Sequence, residues 1–108
     1  MITFFKKGKD TIYLVQSARE LSTSDNERLG WLLHGATPLK ARTLAGPFVG
    51  PRKEMITPWS TNAVEITQNM GVDGIVRIEE FARVEAGAEP TYDPMLQRMY
   101  KGLDQNVF

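Results

Sequence analysis

The chain has 108 residues, 42% hydrophobic and 24% charged, which suits one globular domain with a modest core and leaves no room for a second. Thirteen basic residues balance thirteen acidic ones, so no global field draws nucleic acid or an anionic membrane. No apolar run approaches the roughly 20 residues that span a bilayer, and the lack of cysteine excludes disulfides, thiolate catalysis and cysteine-bearing zinc sites.

Met1 leads into "ITFF" without the basic segment, long apolar core and cleavage site of a signal peptide, so the expectation is a cytoplasmic protein. "ITFFKK" (Ile2–Lys7) and "TIYLVQS" (Thr11–Ser17) are rich in β-formers and flank Gly8-Lys9-Asp10, which predicts an antiparallel hairpin. Lys6, Lys7 and Lys9 surround Gly8 and Asp10 and read as a solvated hairpin tip. Ile2 and Phe4 oppose Phe5, while Ile12 and Leu14 oppose Tyr13 and Val15, so both faces of the hairpin demand cover.

From Ser22 the period becomes helical. Ser22 can cap, Asp25 stands at the third helical position, Leu29, Leu32, Leu33 and Ala36 recur at helical spacing, and Gly35 is a natural stop. The stretch 37–46 reads as a loop. Residues 47–56 look extended, and the missing amide of Pro51 argues for an edge strand or a bulge. Thr57-Pro58 then reads as a helix cap with proline at the first helical position. Trp59, Ala63, Ile66 and Met70 form one stripe, and Gly71 closes the helix.

Residues 74–87 are the last strand candidate. Alternation sets Val76, Ile78, Ala82 and Val84 on one face with Glu80 intruding, which suggests a bulge near Glu79-Glu80. Asp93-Pro94 is expected to open a final helix through Leu96, Met99, Tyr100, Leu103 and Val107. The expected fold is an α+β two-layer sandwich: a four-stranded, mainly antiparallel sheet with two helices on one face, plus a C-terminal helix. Its second face would be covered by that helix, another copy or another domain. Residues 1–92 would form the domain, and 93–108 would begin the helix leading to the next.

Catalytic constellations are scarce. His34 is the sole histidine and suits a helix C-terminus. Glu79 and Glu80 are adjacent on a strand and point to opposite faces, so they do not converge on one substrate or metal. The glycines and prolines from Gly46 to Arg52 lack the Lys and Ser/Thr of a nucleotide cradle. Thr57, Ser60 and Thr61 have no neighbouring base to activate a nucleophile, and helix capping accounts for them. Trp59 is either a ligand platform or an anchor in a core or interface, and its helical spacing favours the anchor. The residues predict no catalytic, cofactor or metal site. Trp59, Arg52, Ser60, Phe5, Tyr13 and Val15 are the candidates for structural or interface roles.

The stretch "GPRKEMITPWSTNAVEITQNMG", followed by Arg77-Ile78-Glu79, resembles the N-terminal region of large single-chain phosphoribosylformylglycinamidine synthase. That family carries "TPRxGxxSPWSSKATDIxxNCG" before a strand with "RxE". The matching elements are Pro51-Arg52, Pro58-Trp59-Ser60, Ala63 with Ile66, and Asn69 with Gly71. Lys53-Glu54-Met55 replaces the usual Pro-Gly-Thr, and Thr61 replaces a serine. "LSTSDNERLGWLLHG" resembles the family's early leucine helix, and "DPMLQRMY" resembles the helix that follows this domain.

The resemblance implies the N-terminal, small-subunit-like domain of a longer cytoplasmic ligase of purine biosynthesis. That ligase amidates formylglycinamide ribonucleotide using ATP, magnesium and glutamine. This domain would hold no cofactor and perform no catalysis. It would be an adaptor between the synthase and glutaminase parts of the same polypeptide, docking through the hairpin's second apolar face and self-associating when isolated. A free-standing dimeric accessory subunit of the same pathway, and an independent ligand-binding domain or small enzyme built on Arg52, Trp59 and Ser60, are the alternatives.

Overall fold

The computed structural model describes residues 1–84 and 95–108. They form β1 (Ile2–Lys7), β2 (Thr11–Ser17), α1 (Thr23–Leu32), β3 (Thr37–Pro38), β4 (Leu44–Pro51), α2 (Pro58–Asn69), β5 (Ile75–Arg83) and β6 (Gln97–Leu103). The α+β class and the antiparallel hairpin of β1 and β2 are as expected. The sheet, however, has six strands rather than four, in the order β3-β1-β2-β5-β4-β6, and every neighbouring pair is antiparallel.

Both extra strands replace other predicted structures. The supposed loop 37–46 contains β3, which pairs with β1 at Lys6 and Phe5. The expected terminal helix is the strand β6 over Gln97–Leu103, and its predicted start at Asp93-Pro94 lies outside the described residues. Leu96, Met99, Tyr100 and Leu103 do fall at helical spacing, but β6 pairs with β4 from Leu103 opposite Leu44 to Gln97 opposite Pro51. Long-range strand pairing overrides the local period.

Pro51 does not mark an edge strand either, because β4 lies between β5 and β6. The strand accommodates its prolines locally. Pro47 sits where the β4–β6 register shifts between Ala45 and Phe48, and β4 pairs with β5 only at Phe48 and Val49 before the ladder ends. Pro51 therefore faces no β5 acceptor that an amide would have to satisfy. In the β2–β5 ladder the register shifts beside Gln16/Ser17, where Ser17 meets Ile75 and Gln16 meets Arg77, and not at Glu79-Glu80. The added residue is Val76.

Helix ends follow the sequence closely. The Ser22 hydroxyl accepts from the Asp25 amide while the Asp25 carboxylate accepts from the Ser22 amide, a reciprocal capping box. Thr57 caps α2 with Pro58 at the start. Both helices end in the same 6→1 and 5→2 bond pair: Gly35 N to Gly30 O with His34 N to Trp31 O, and Val72 N to Thr67 O with Gly71 N to Gln68 O. The left-handed residue is Gly71 in α2 and His34, at φ 60°, in α1. The buried face of α2 is Ser60, Ala63 and Thr67, one residue round from the expected stripe, and Trp59 and Ile66 are left on its flank.

Two cores result, one on each face of the sheet. Phe5, Tyr13, Val15 and Ile78 pack with Leu29 and Leu33 of α1 and Ala63 of α2. On the other face Ile2, Phe4, Ile12, Leu14, Phe48 and Phe81 pack with Leu103 and Val107. That second cover comes from the chain itself, as a strand and tail instead of a helix. The Gln105 carboxamide accepts from the Ile2 amide at 2.8 Å and donates to the Ile2 carbonyl at 3.0 Å, pinning the tail to the opposite end of the sheet.

Candidate functional site

Divergence of β4 from β5 leaves the first half of β5 without a neighbour on one side. Segment 52–57 and the first turn of α2 fill that gap with polar contacts. The Ile78 amide, which no β4 carbonyl receives, donates to Ser60 Oγ at 3.0 Å. Glu79 Oε2 accepts from the Thr57 amide at 3.1 Å, and Glu79 Oε1 accepts from the Thr57 hydroxyl at 2.6 Å. Thr57 Oγ1 in turn accepts from the Ser60 amide at 3.1 Å.

Arg77 completes the cluster. Its Nε donates to Glu79 Oε2 at 2.9 Å, with the two side chains 4% and 1% exposed. Its Nη1 donates to the Lys53 carbonyl at 2.8 Å, and Nη2 donates to the carbonyls of Met55 at 2.8 Å and Arg52 at 3.2 Å. The planar fork thus holds three carbonyls of one turn, in a segment that has no ladder of its own. A charge pair this deep is tolerated because its remaining donors and acceptors are satisfied.

Residues two apart on a strand share a face, so the sequence did contain the signal for this pair. The adjacent Glu79 and Glu80 do point apart, with Glu79 buried and Glu80 exposed. Gln105 carried no comparable signal, because nothing local marks a side-chain amide that will bond to backbone across the sheet.

The other candidates are distributed through the fold. Ser60 is fully buried beneath Ile78. Phe5, Tyr13 and Val15 lie in the helix-side core. Trp59, 42% exposed, stacks on Tyr13 with centroids 6.0 Å apart and 23° between planes. Arg52 contributes its backbone, its amide donating to Leu96 O at 3.2 Å and its carbonyl accepting from Arg77. These positions do not converge on one pocket. The hairpin residues expected to form a docking surface are buried on both faces by this chain's own helices, strand and tail.

The sequence matches the family described as formylglycinamide ribonucleotide amidotransferase N-terminal over residues 10–105. The chain belongs to that family. Its parent enzyme is an amidotransferase of purine biosynthesis, and the match spans β2 to the end of β6. The elements that carried the sequence resemblance to the amidotransferase have visible physical roles. Pro51-Arg52 leads the chain away from β5, Thr57 to Ser60 starts α2 against the open side of β5, Gly71 ends that helix, and Arg77-Ile78-Glu79 ties the first two together. Among the described residues, no three His, Cys, Asp or Glu side chains gather to hold a metal, and no helix is long and apolar enough to cross a membrane.

Proposed function

We propose that this chain is a non-catalytic organising domain of a cytoplasmic formylglycinamide ribonucleotide amidotransferase. In this reading ATP, magnesium and glutamine are handled by the synthase and glutaminase parts of the same polypeptide, and this domain helps to hold those parts together. The observation that carries the reading is the engagement of Thr57, Ser60, Arg77 and Glu79. These four polar side chains are turned inward, where they support backbone and one another.

Complementation tests the proposal. An amidotransferase truncated of the residues equivalent to 10–105 should lose amidine formation and regain it when the separate chain is added. Activity that is indifferent to the truncation sinks the organising role. The free-standing accessory subunit is the second reading, and sedimentation of the chain at increasing concentration would reveal its dimer.

A further inference from the structure

Arg77 lies where two segments distant in sequence meet. In its plane, the guanidinium holds the carbonyls of Arg52, Lys53 and Met55. Over its face lies the ring of Phe108, 4.1 Å from Cζ to the centroid. Phe108 also leans on Phe81 at 6.1 Å, Val107 is buried beside it, and Gln105 is anchored to Ile2 at both carboxamide ends. One cation therefore serves both segment 52–57 and the tail 104–108.

Besides Arg77, segment 52–57 is held by the Arg52 amide donating to Leu96 O at 3.2 Å, by the Met55 amide donating to Arg52 O at 3.0 Å, and at its end by Thr57 on Glu79. We propose that Arg77 is a conformational coupler that links the ordering of segment 52–57 to the seating of the tail 104–108. With Phe108 in place the guanidinium is shielded on that face, and its Nη protons go to the three carbonyls. With the ring lifted, water competes for those protons and the segment carrying exposed Met55 and Ile56 loosens. Coupling of this kind is reciprocal, so whatever grips segment 52–57 also steadies the tail. The coupler does not depend on the organising role proposed above.

Amide exchange followed by NMR on the whole chain tests it. Phe108→Leu keeps an apolar side chain over Phe81 but removes the ring. It should speed exchange of the Met55 and Thr57 amides about three- to tenfold while β2 amides such as that of Leu14 keep their protection. Thr57→Val should in turn speed exchange of the Gln105 carboxamide protons. Loss of protection confined to the tail in Phe108→Leu, or an equal loss throughout including Leu14, overturns the coupler. Where Phe108→Leu does not fold, Arg77→Lys replaces it. The lysine keeps a charge near Glu79 without the planar fork, and it should loosen both segments together; loosening only one rejects the coupling.

Discussion

Arg77 and Glu79, two residues apart on one strand, form an ion pair at 2.9 Å with both side chains almost wholly out of water. The carboxylate also receives the Thr57 amide and hydroxyl, so a single anion balances the guanidinium and caps the approach to α2. Removing the charge on one side only leaves the other buried and uncompensated. Glu79→Gln should lower stability by about 3 to 5 kcal/mol. Urea midpoints of the two proteins at equal slope measure this, and an unchanged midpoint contradicts the structural role of the pair.

Gly50 lies against the ring of fully buried Phe81, and a Cβ added there would clash with the ring's Cδ2–Cε2 edge, with Phe81 Cγ only 2.7 Å away. The ring packs against both Tyr100 at 5.2 Å and Phe108 at 6.1 Å, which restricts its freedom to swing clear. Gly50→Ala should cost about 2 to 3 kcal/mol by overpacking. Adding Phe81→Leu should recover part of the loss; an additive double variant would show that the clash is not with Phe81.

Trp59 covers Tyr13 but keeps 42% of its surface in solvent. Truncation therefore removes one stacked pair and part of a side chain's burial, without opening a sealed cavity. Trp59→Ala should destabilise by about 1 to 2 kcal/mol, below the 3 to 5 kcal/mol typical of a fully buried tryptophan. A larger loss in chemical denaturation would mean that the indole holds the helix to the sheet more firmly than its exposure indicates.

His34 occupies the left-handed position that Gly71 fills at the end of α2. A side chain there costs about 1 to 2 kcal/mol in the backbone, which glycine avoids while gaining unfolded-state entropy. His34→Gly should raise stability by about 0.5 to 1 kcal/mol, visible as a higher melting temperature. A lower one would assign His34 a contact that outweighs the strain.

Asp25 titrates with folding. Arg19 beside it, at 2.7 Å, and the Ser22 amide hold its carboxyl well below the usual carboxylate range. A depressed folded value contributes stability that is fully present above the unfolded pKa of about 3.9 and is lost as pH falls toward the folded value. Stability of the parent protein should decline below about pH 4, and Asp25→Asn should make that decline shallower. Parallel acid limbs would remove Asp25 from the linkage.

The parts legible in the sequence were those written in local chemistry: the hairpin around Gly8, the Ser22 and Thr57 caps, the Gly71 stop and the need for cover on both faces of the hairpin. The misread parts depend on distant partners. "LQRMY" carries a helical period and becomes a strand only because β4 offers it an antiparallel edge. Thr37-Pro38 is too short to announce itself and exists only beside β1. The family motif was readable as a string, but its purpose required seeing β4 leave β5 and the polar residues enter the space behind it.

Ammonia release from glutamine by the purified chain, measured beside Ser60→Ala, tests most directly the claim that the motif is architectural. With Ser60 receiving the Ile78 amide and no base beside it in the described contacts, both proteins should release no ammonia above a protein-free blank. Release by the parent chain that Ser60→Ala abolishes would contradict the account, because it would make a catalytic group of a hydroxyl assigned here to holding α2 against β5.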